Sequence, residues 1–177
     1  MDQNVNPWKA NITNGMIFAL IGIVYTLLMY FFDLTLNKVQ GWVFMLVQIV
    51  ILYFLLKSYR DNYRYGSISY SQGLGAGMII FLYYAIIIAI FSYILYAWID
   101  PDLIDKQLAF AEEQMLEKGI PAEAVEAGMK VQAKLLKPSI MAFLSIIGTM
   151  VQGLIMSLIV AAFVRKENNP LIDNPIN

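Results

Sequence analysis

The chain has 177 residues, enough for one domain; 59% are hydrophobic, only 14% are charged, and the mean hydropathy of +0.63 lies above that of soluble domains. A formal net charge of −1 offers no basic face for nucleic acid. With neither cysteine nor histidine, the chain has no disulfides, thiolate nucleophiles, histidine bases or thiolate and imidazole metal ligands. No cofactor is expected.

Met1 to Asn14 is polar, and Trp8 with Lys9 suits a membrane–water interface, the ring at headgroup depth and the ammonium in water. Asn11-Ile-Thr13 matches a glycosylation sequon but lies too near the first apolar run to be used, and reads as a chance match. The first span covers 15–32 and stops at Asp33. No small-residue cleavage site follows Tyr30-Phe-Phe-Asp33, so this helix is expected to stay in the mature protein rather than act as a signal peptide. After a short loop containing Lys38, the second span covers 40–56, the shortest of the four, with Trp42 at one interface and Lys57 at the other.

Lys57 to Gln72 reads as a polar, tyrosine-rich connection made basic by Lys57, Arg60 and Arg64. The third span, 73–99, opens on alternate glycines, carries no charge and closes on the aromatic belt Tyr93, Tyr96 and Trp98. At about 1.5 Å per residue it spans roughly 40 Å, more than the roughly 30 Å of a bilayer's hydrocarbon core. Asp100-Pro101 stops it, and Asp100 reads as the N-cap of a new helix with Pro101 at its first position.

The insert, 101–137, reads as two amphipathic helices separated at Lys118-Gly119 and Pro121. Ile104, Leu108, Ala111 and Met115 recur at helical spacing in the first, and Ala122, Val125, Met129 and Leu136 in the second. Its carboxylates Asp102, Asp105, Glu112, Glu113, Glu117, Glu123 and Glu126 read as a solvated face rather than acid/base pairs or a cation site. The fourth span covers 139–164, closed by Arg165-Lys166 and followed by a short polar tail, Glu167 to Asn177. The fold class is therefore an all-α membrane protein: four transmembrane helices, with an extramembrane helical hairpin between the third and fourth, in one integral membrane domain.

Four spans place both termini on one side. Lysines and arginines divide equally between the two sides, but the insert's lysines belong to a folded, largely acidic hairpin. Between the short loops, Lys57, Arg60 and Arg64 outweigh Lys38, which puts both termini in the cytoplasm.

In the fourth span Ser145, Thr149, Gly153 and Ser157 recur every four residues, and Gly73 and Gly77 do so in the third. Small residues at that spacing let helix backbones approach closely, so these positions are expected to pack helices together. A homo-oligomer seam or the wall of a small polar cavity are the alternatives. Gln48 and Gln152 lie mid-span, where an interhelical hydrogen bond between them, or to a hydroxyl, would suit two buried amides. No Asp, Glu, Lys or Arg lies inside a span, which weighs against proton-coupled carriers, pumps and voltage sensors. Gly73-Leu-Gly-Ala-Gly77 follows no strand and lacks the downstream Gly-Lys-Ser/Thr of a phosphate loop.

Pro7-Trp-Lys9, Leu36-Asn-Lys38 before Gly41-Trp42, Tyr59-Arg-Asp61, Ile68-Ser-Tyr70, Asp100-Pro-Asp102 and Glu113-Gln-Met-Leu-Glu-Lys-Gly119 follow one another in an order that resembles domain of unknown function 4199. The resemblance implies a small multi-pass protein of the bacterial inner membrane and carries over no functional residues. From the residues themselves, the expected role is non-enzymatic: an adaptor binding other membrane proteins through its insert or small-residue faces. The alternative is an oligomeric transporter of small molecules or lipids, with Gln48, Thr149, Gln152 and nearby tyrosines lining a neutral path. The lipid bilayer is the partner common to both.

Overall fold

Asn6 opens the first helix by accepting a hydrogen bond from the Trp8 amide at 3.0 Å, with Pro7 at the first helical position, where no amide proton is needed. The computed structural model describes residues 5–167, so the tail expected beyond Glu167 lies outside the described residues. Among the described residues the elements are α1 (Pro7–Phe31), α2 (Lys38–Tyr63), α3 (Tyr70–Ile94) running on into a π-helical turn (Leu95–Ile99), α4 (Asp102–Glu117), α5 (Ala122–Leu135) and α6 (Pro138–Val164). Four of them, α1, α2, α3 with its π turn, and α6, are long and apolar enough to cross a membrane. Asn37 caps α2 on the Val39 amide. Ser69 and Gln72 cap α3 reciprocally, each side chain bonding the other's backbone amide.

Helix ends are where sequence and structure part. α1 begins at Pro7 rather than Gly15, because the polar turn holding Trp8 and Asn11 continues the same backbone ladder. Asn11 is fully buried and donates to the Pro7 carbonyl at 2.9 Å, which removes the sequon from any modifying enzyme's reach. α2 runs to Tyr63 instead of ending near Leu56, so at 26 residues it is not the shortest span. The connection shrinks accordingly, and Arg60 is helical. Asp100 is not the cap of α4: Pro101 holds that position, no side chain caps the helix, and the Asp100 carboxylate lies 3.7 Å from Lys106 Nζ. In the insert, Leu103 and Val125 are the buried side chains, while Ile104, Leu108, Ala111 and Met115 are half-buried and Ala122 is exposed. Gly119, with φ +73°, makes the turn between α4 and α5.

The four long helices alternate in direction. The most extensive interface joins α3 to α6, followed by α1 with α3. Down the α3–α6 seam Gly73 meets Ala161, Gly77 meets Ser157, and Gly153 meets Phe81; each pair lies four residues further along one helix and four back along the other. α1 runs parallel to α3, with Gly15 against Tyr83 and Gly22 against Tyr84 and Ile88. The half of the bundle nearer the termini is tightly packed. Phe18, Leu52, Leu56, Ile80, Phe81 and Val160 are no more than 1% exposed, and the Phe18 and Phe81 rings meet edge-on at 5.2 Å. Outward faces carry the opposite pattern, with Leu20, Leu46, Phe54, Ile90, Phe143 and Phe163 exposed. Such a shell suits hydrocarbon and would be untenable in water.

A clasp closes the terminal end. Ile68 and Lys166 exchange both backbone hydrogen bonds, at 2.7 and 3.0 Å, and Arg60 Nη1 donates to the Val164 carbonyl at 3.1 Å. Arg60 thereby satisfies one of the carbonyls that the end of α6 leaves without an intrahelical partner.

Candidate functional site: an uncharged polar cavity

Toward the insert end the bundle opens into a cavity of about 490 Å³, within the range of small-molecule sites. Its floor is a chain of hydrogen bonds across three helices. Gln152 Nε2 on α6 donates to Gln48 Oε1 on α2 at 3.0 Å, and Gln48 Nε2 donates to the Tyr84 hydroxyl on α3 at 3.0 Å. Gln48 is 2% exposed, so leaving its amide without partners would be costly. With both amide ends of Gln48 engaged, the Tyr84 O–H and the Gln152 carbonyl oxygen have no further partner among the described residues and can meet a molecule above them. Beneath this floor the Phe18–Phe81–Tyr84 aromatic cluster seals the cavity from the terminal side.

The walls are set by the ends of α1, α2 and α3. Tyr25 stacks on Phe44 with ring centroids 4.2 Å apart, and its hydroxyl donates to the Gln40 carbonyl at 2.8 Å, joining α1 to the start of α2. Thr26, also in the lining, turns its hydroxyl back onto the Gly22 carbonyl. Thr149 and Ser92 add hydroxyls from α6 and α3. At the mouth, Gln107 of α4 donates to the Tyr96 hydroxyl at 2.8 Å. Tyr96 sits in the π turn, where the backbone bond from Asp100 N back to Leu95 O at 2.9 Å adds a residue to the helical turn and re-aims the side chains that follow. Among the described residues, no charged side chain lines the cavity.

The sequence stripe on α6 therefore divides in three. Gly153 and Ser157 lie in the α3–α6 seam with Gly73 and Gly77. Thr149 lines the cavity. Ser145 bonds the Ala142 carbonyl of its own helix at 2.8 Å. Ser157 is fully buried with a hydroxyl that has no hydrogen-bond partner among the described residues, because it is pressed against Gly77. Gln48 and Gln152 meet directly.

Sequence reasoning missed Tyr25, Gln40 and Gln107. Tyr96 read as a belt residue, and nothing in the spacing of Tyr84 and Tyr96 shows that they converge. Only the π turn and the return of α4 bring Gln107 to Tyr96. The buried pair Asn11 and Asn14, bonded at 3.1 Å, was hidden in what read as a polar lead segment.

The array can hold a neutral polar molecule by donors and acceptors. No curated protein and no solved structure matches the chain. A family model described as a protein of unknown function, DUF4199, matches residues 13–166, from the first turns of α1 to the Lys166 end of the clasp. Nearly the whole chain is thus covered, cavity and clasp included, and the chain belongs to the DUF4199 family.

Proposed function

We propose that the protein is a multi-pass protein of the bacterial inner membrane that binds a small, neutral, polar molecule in the cavity between its helices, entered from the insert side. The observation that carries this reading is the Gln152–Gln48–Tyr84 chain lying under an open, uncharged cavity. Buried amides fully used in helix packing would need no space above them. Here that space is large enough for a ligand and edged by hydroxyls. The packed terminal half makes the cavity blind, so uptake across the membrane would need a second conformation. Binding, with transport as its extension, is the reading the geometry favours. No enzymatic step is part of it.

Lys57 and Arg64 lie at the terminal end and support cytoplasmic termini, with α4 and α5 forming an amphipathic hairpin on the outer face. The hairpin's own exposed apolar side chains, Leu116, Val131 and Leu135, favour an accompanying adaptor role, in which a second membrane protein or another copy of this chain reads the state of the cavity.

The chain has no cysteine, so single cysteines report without background. Thr149→Cys in intact cells is expected to react with a membrane-impermeant thiol reagent from the outer face, and Ser157→Cys is expected not to react. Purified protein is then screened by thermal shift against neutral amides, polyols and nucleosides, with Gln152→Leu abolishing any shift and Gly148→Ala keeping it. Thr149→Cys inert from both faces would refute an open cavity. The adaptor role is tested separately by crosslinking after deletion of residues 102–137. Unchanged partners would remove it.

A further inference from the structure

The terminal end of the bundle holds a second cavity, of about 410 Å³, lined by Val5, Pro7, Tyr59, Arg64, Gln72 and Ala76 among others. Among the described residues it differs from the first in carrying one charge, the Arg64 guanidinium, and no carboxylate. Among the described residues Arg64 makes no ion pair. The nearby acid, Asp61, is engaged by Arg60 at 2.8 Å. Tyr59 is only 3% exposed, yet its hydroxyl has no hydrogen-bond partner among the described residues, and its side chain lines the cavity. The hydroxyl opens onto the cavity, where it can donate to an acceptor held there.

Two helices also begin here: Pro7 is the first residue of α1, and Gln72 lies in the first turn of α3. Helix N-termini carry partial positive charge and suit phosphate. Below these polar groups, Ala76 and Ile79 form an apolar wall, and a Cβ added at Gly75 would meet nothing, so the space continues along α3. The site therefore has an anion-attracting head and an apolar stem. Trp8 and Tyr63, both exposed at this end, are side chains of the kind that settle at headgroup depth.

We propose that this cavity binds the phosphate headgroup of an anionic phospholipid, with Arg64 and the Tyr59 hydroxyl on the phosphate oxygens and the glycerol end against Ala76 and Ile79. The site lies at the opposite end of the bundle from the polar cavity and does not rest on the function proposed for it.

The test is native mass spectrometry of the full-length protein released from micelles containing phosphatidylglycerol and phosphatidylcholine in equal amounts. A single phosphatidylglycerol adduct is expected, preferred about tenfold over phosphatidylcholine, the scale of one charge-assisted hydrogen bond. Arg64→Gln should bring the preference close to unity. Lys57→Gln, one helix turn away from Arg60 and outside the cavity, should leave it unchanged. Tyr59→Phe keeps the ring packing, removes only the hydroxyl and should lower the preference severalfold, so it carries the test if Arg64→Gln fails to fold. Equal retention of the two lipids overturns the proposal, as does a loss at Lys57→Gln matching that at Arg64→Gln. Displacement of the lipid by excess inorganic phosphate would identify a soluble-anion site and overturn it equally.

Discussion

The α3–α6 seam makes a quantitative prediction about glycine. A Cβ at Gly153 would lie 2.7 Å from Phe81 Cβ and 2.8 Å from its Cδ1, and Phe81 is fully buried between Phe18 and Tyr84, with nowhere to turn. Forcing a methyl group into such a packed site costs about 1–3 kcal/mol. Replacing glycine by alanine inside a helix returns about 0.8–1 kcal/mol. Gly153→Ala should therefore lose about 0–2 kcal/mol net, against the gain expected at a glycine with open space around it. Gly148, on the same helix, has nothing within 4 Å of where a Cβ would stand, so Gly148→Ala should gain by propensity alone. Gly77 adds a coupling test. Its Cβ would fall 2.9 Å from Ser157 Cβ, so rotating the hydroxyl away cannot relieve the clash, whereas Ser157→Gly can. Gly77→Ala and Ser157→Gly should each destabilise alone and compensate in the double variant by about 1 kcal/mol or more. Equilibrium unfolding in mixed micelles measures all five variants. Gly153→Ala as stable as Gly148→Ala, or a strictly additive Gly77/Ser157 pair, would refute this account of the seam.

Gln48→Leu keeps the volume but breaks both hydrogen bonds of the cavity floor. A loss of about 1–2 kcal/mol in the same unfolding assay is expected, and a cycle with Gln152→Leu should show the two amides coupled. Arg60→Gln withdraws the guanidinium from the Val164 carbonyl; amide hydrogen exchange at the end of α6 should accelerate severalfold while the centre of α3 stays protected. Gly119→Ala places a Cβ at φ +73°, which costs about 1–2 kcal/mol and should loosen α4 against α5, read as faster proteolysis between them with the long helices intact.

Four helices were legible because an uncharged apolar run of about 17 residues or more, close to a bilayer's thickness, is at home in hydrocarbon. Their ends were not. Apolarity stops near Leu56, but the backbone ladder of α2 does not, and the Arg60 bond to Val164 that fixes this stretch joins residues far apart in the chain. Asp100-Pro101 marked a boundary correctly without revealing its geometry: a π turn is a matter of which carbonyl an amide chooses, and Leu95–Ile99 carries no residue that demands it. Gln48 and Gln152 stood out as amides in apolar runs. Tyr84 and Tyr96 did not, since tyrosine is at home both in a bundle and at an interface, and Gln107 stood in a helix whose polar residues all read as solvated. The α6 stripe read as one surface because spacing reports a shared face, not which neighbour each part of that face meets.

The clasp between Ile68 and Lys166 also bears on the order in which the protein can assemble. Lys166, which completes the backbone bonds to Ile68, and the Val164 carbonyl taken by Arg60 become available only when α6 has left the ribosome, long after α2 and α3 have been made. The largest interface in the bundle has the same property, since α3 must wait for α6. Until then the small-residue face of α3, Gly73 and Gly77 included, stays uncovered in the bilayer. Synthesis thus passes through a stage in which three helices hold a vacancy shaped for the fourth, and a chain cut short before Pro138 would leave that face open to any neighbouring helix with small residues of its own.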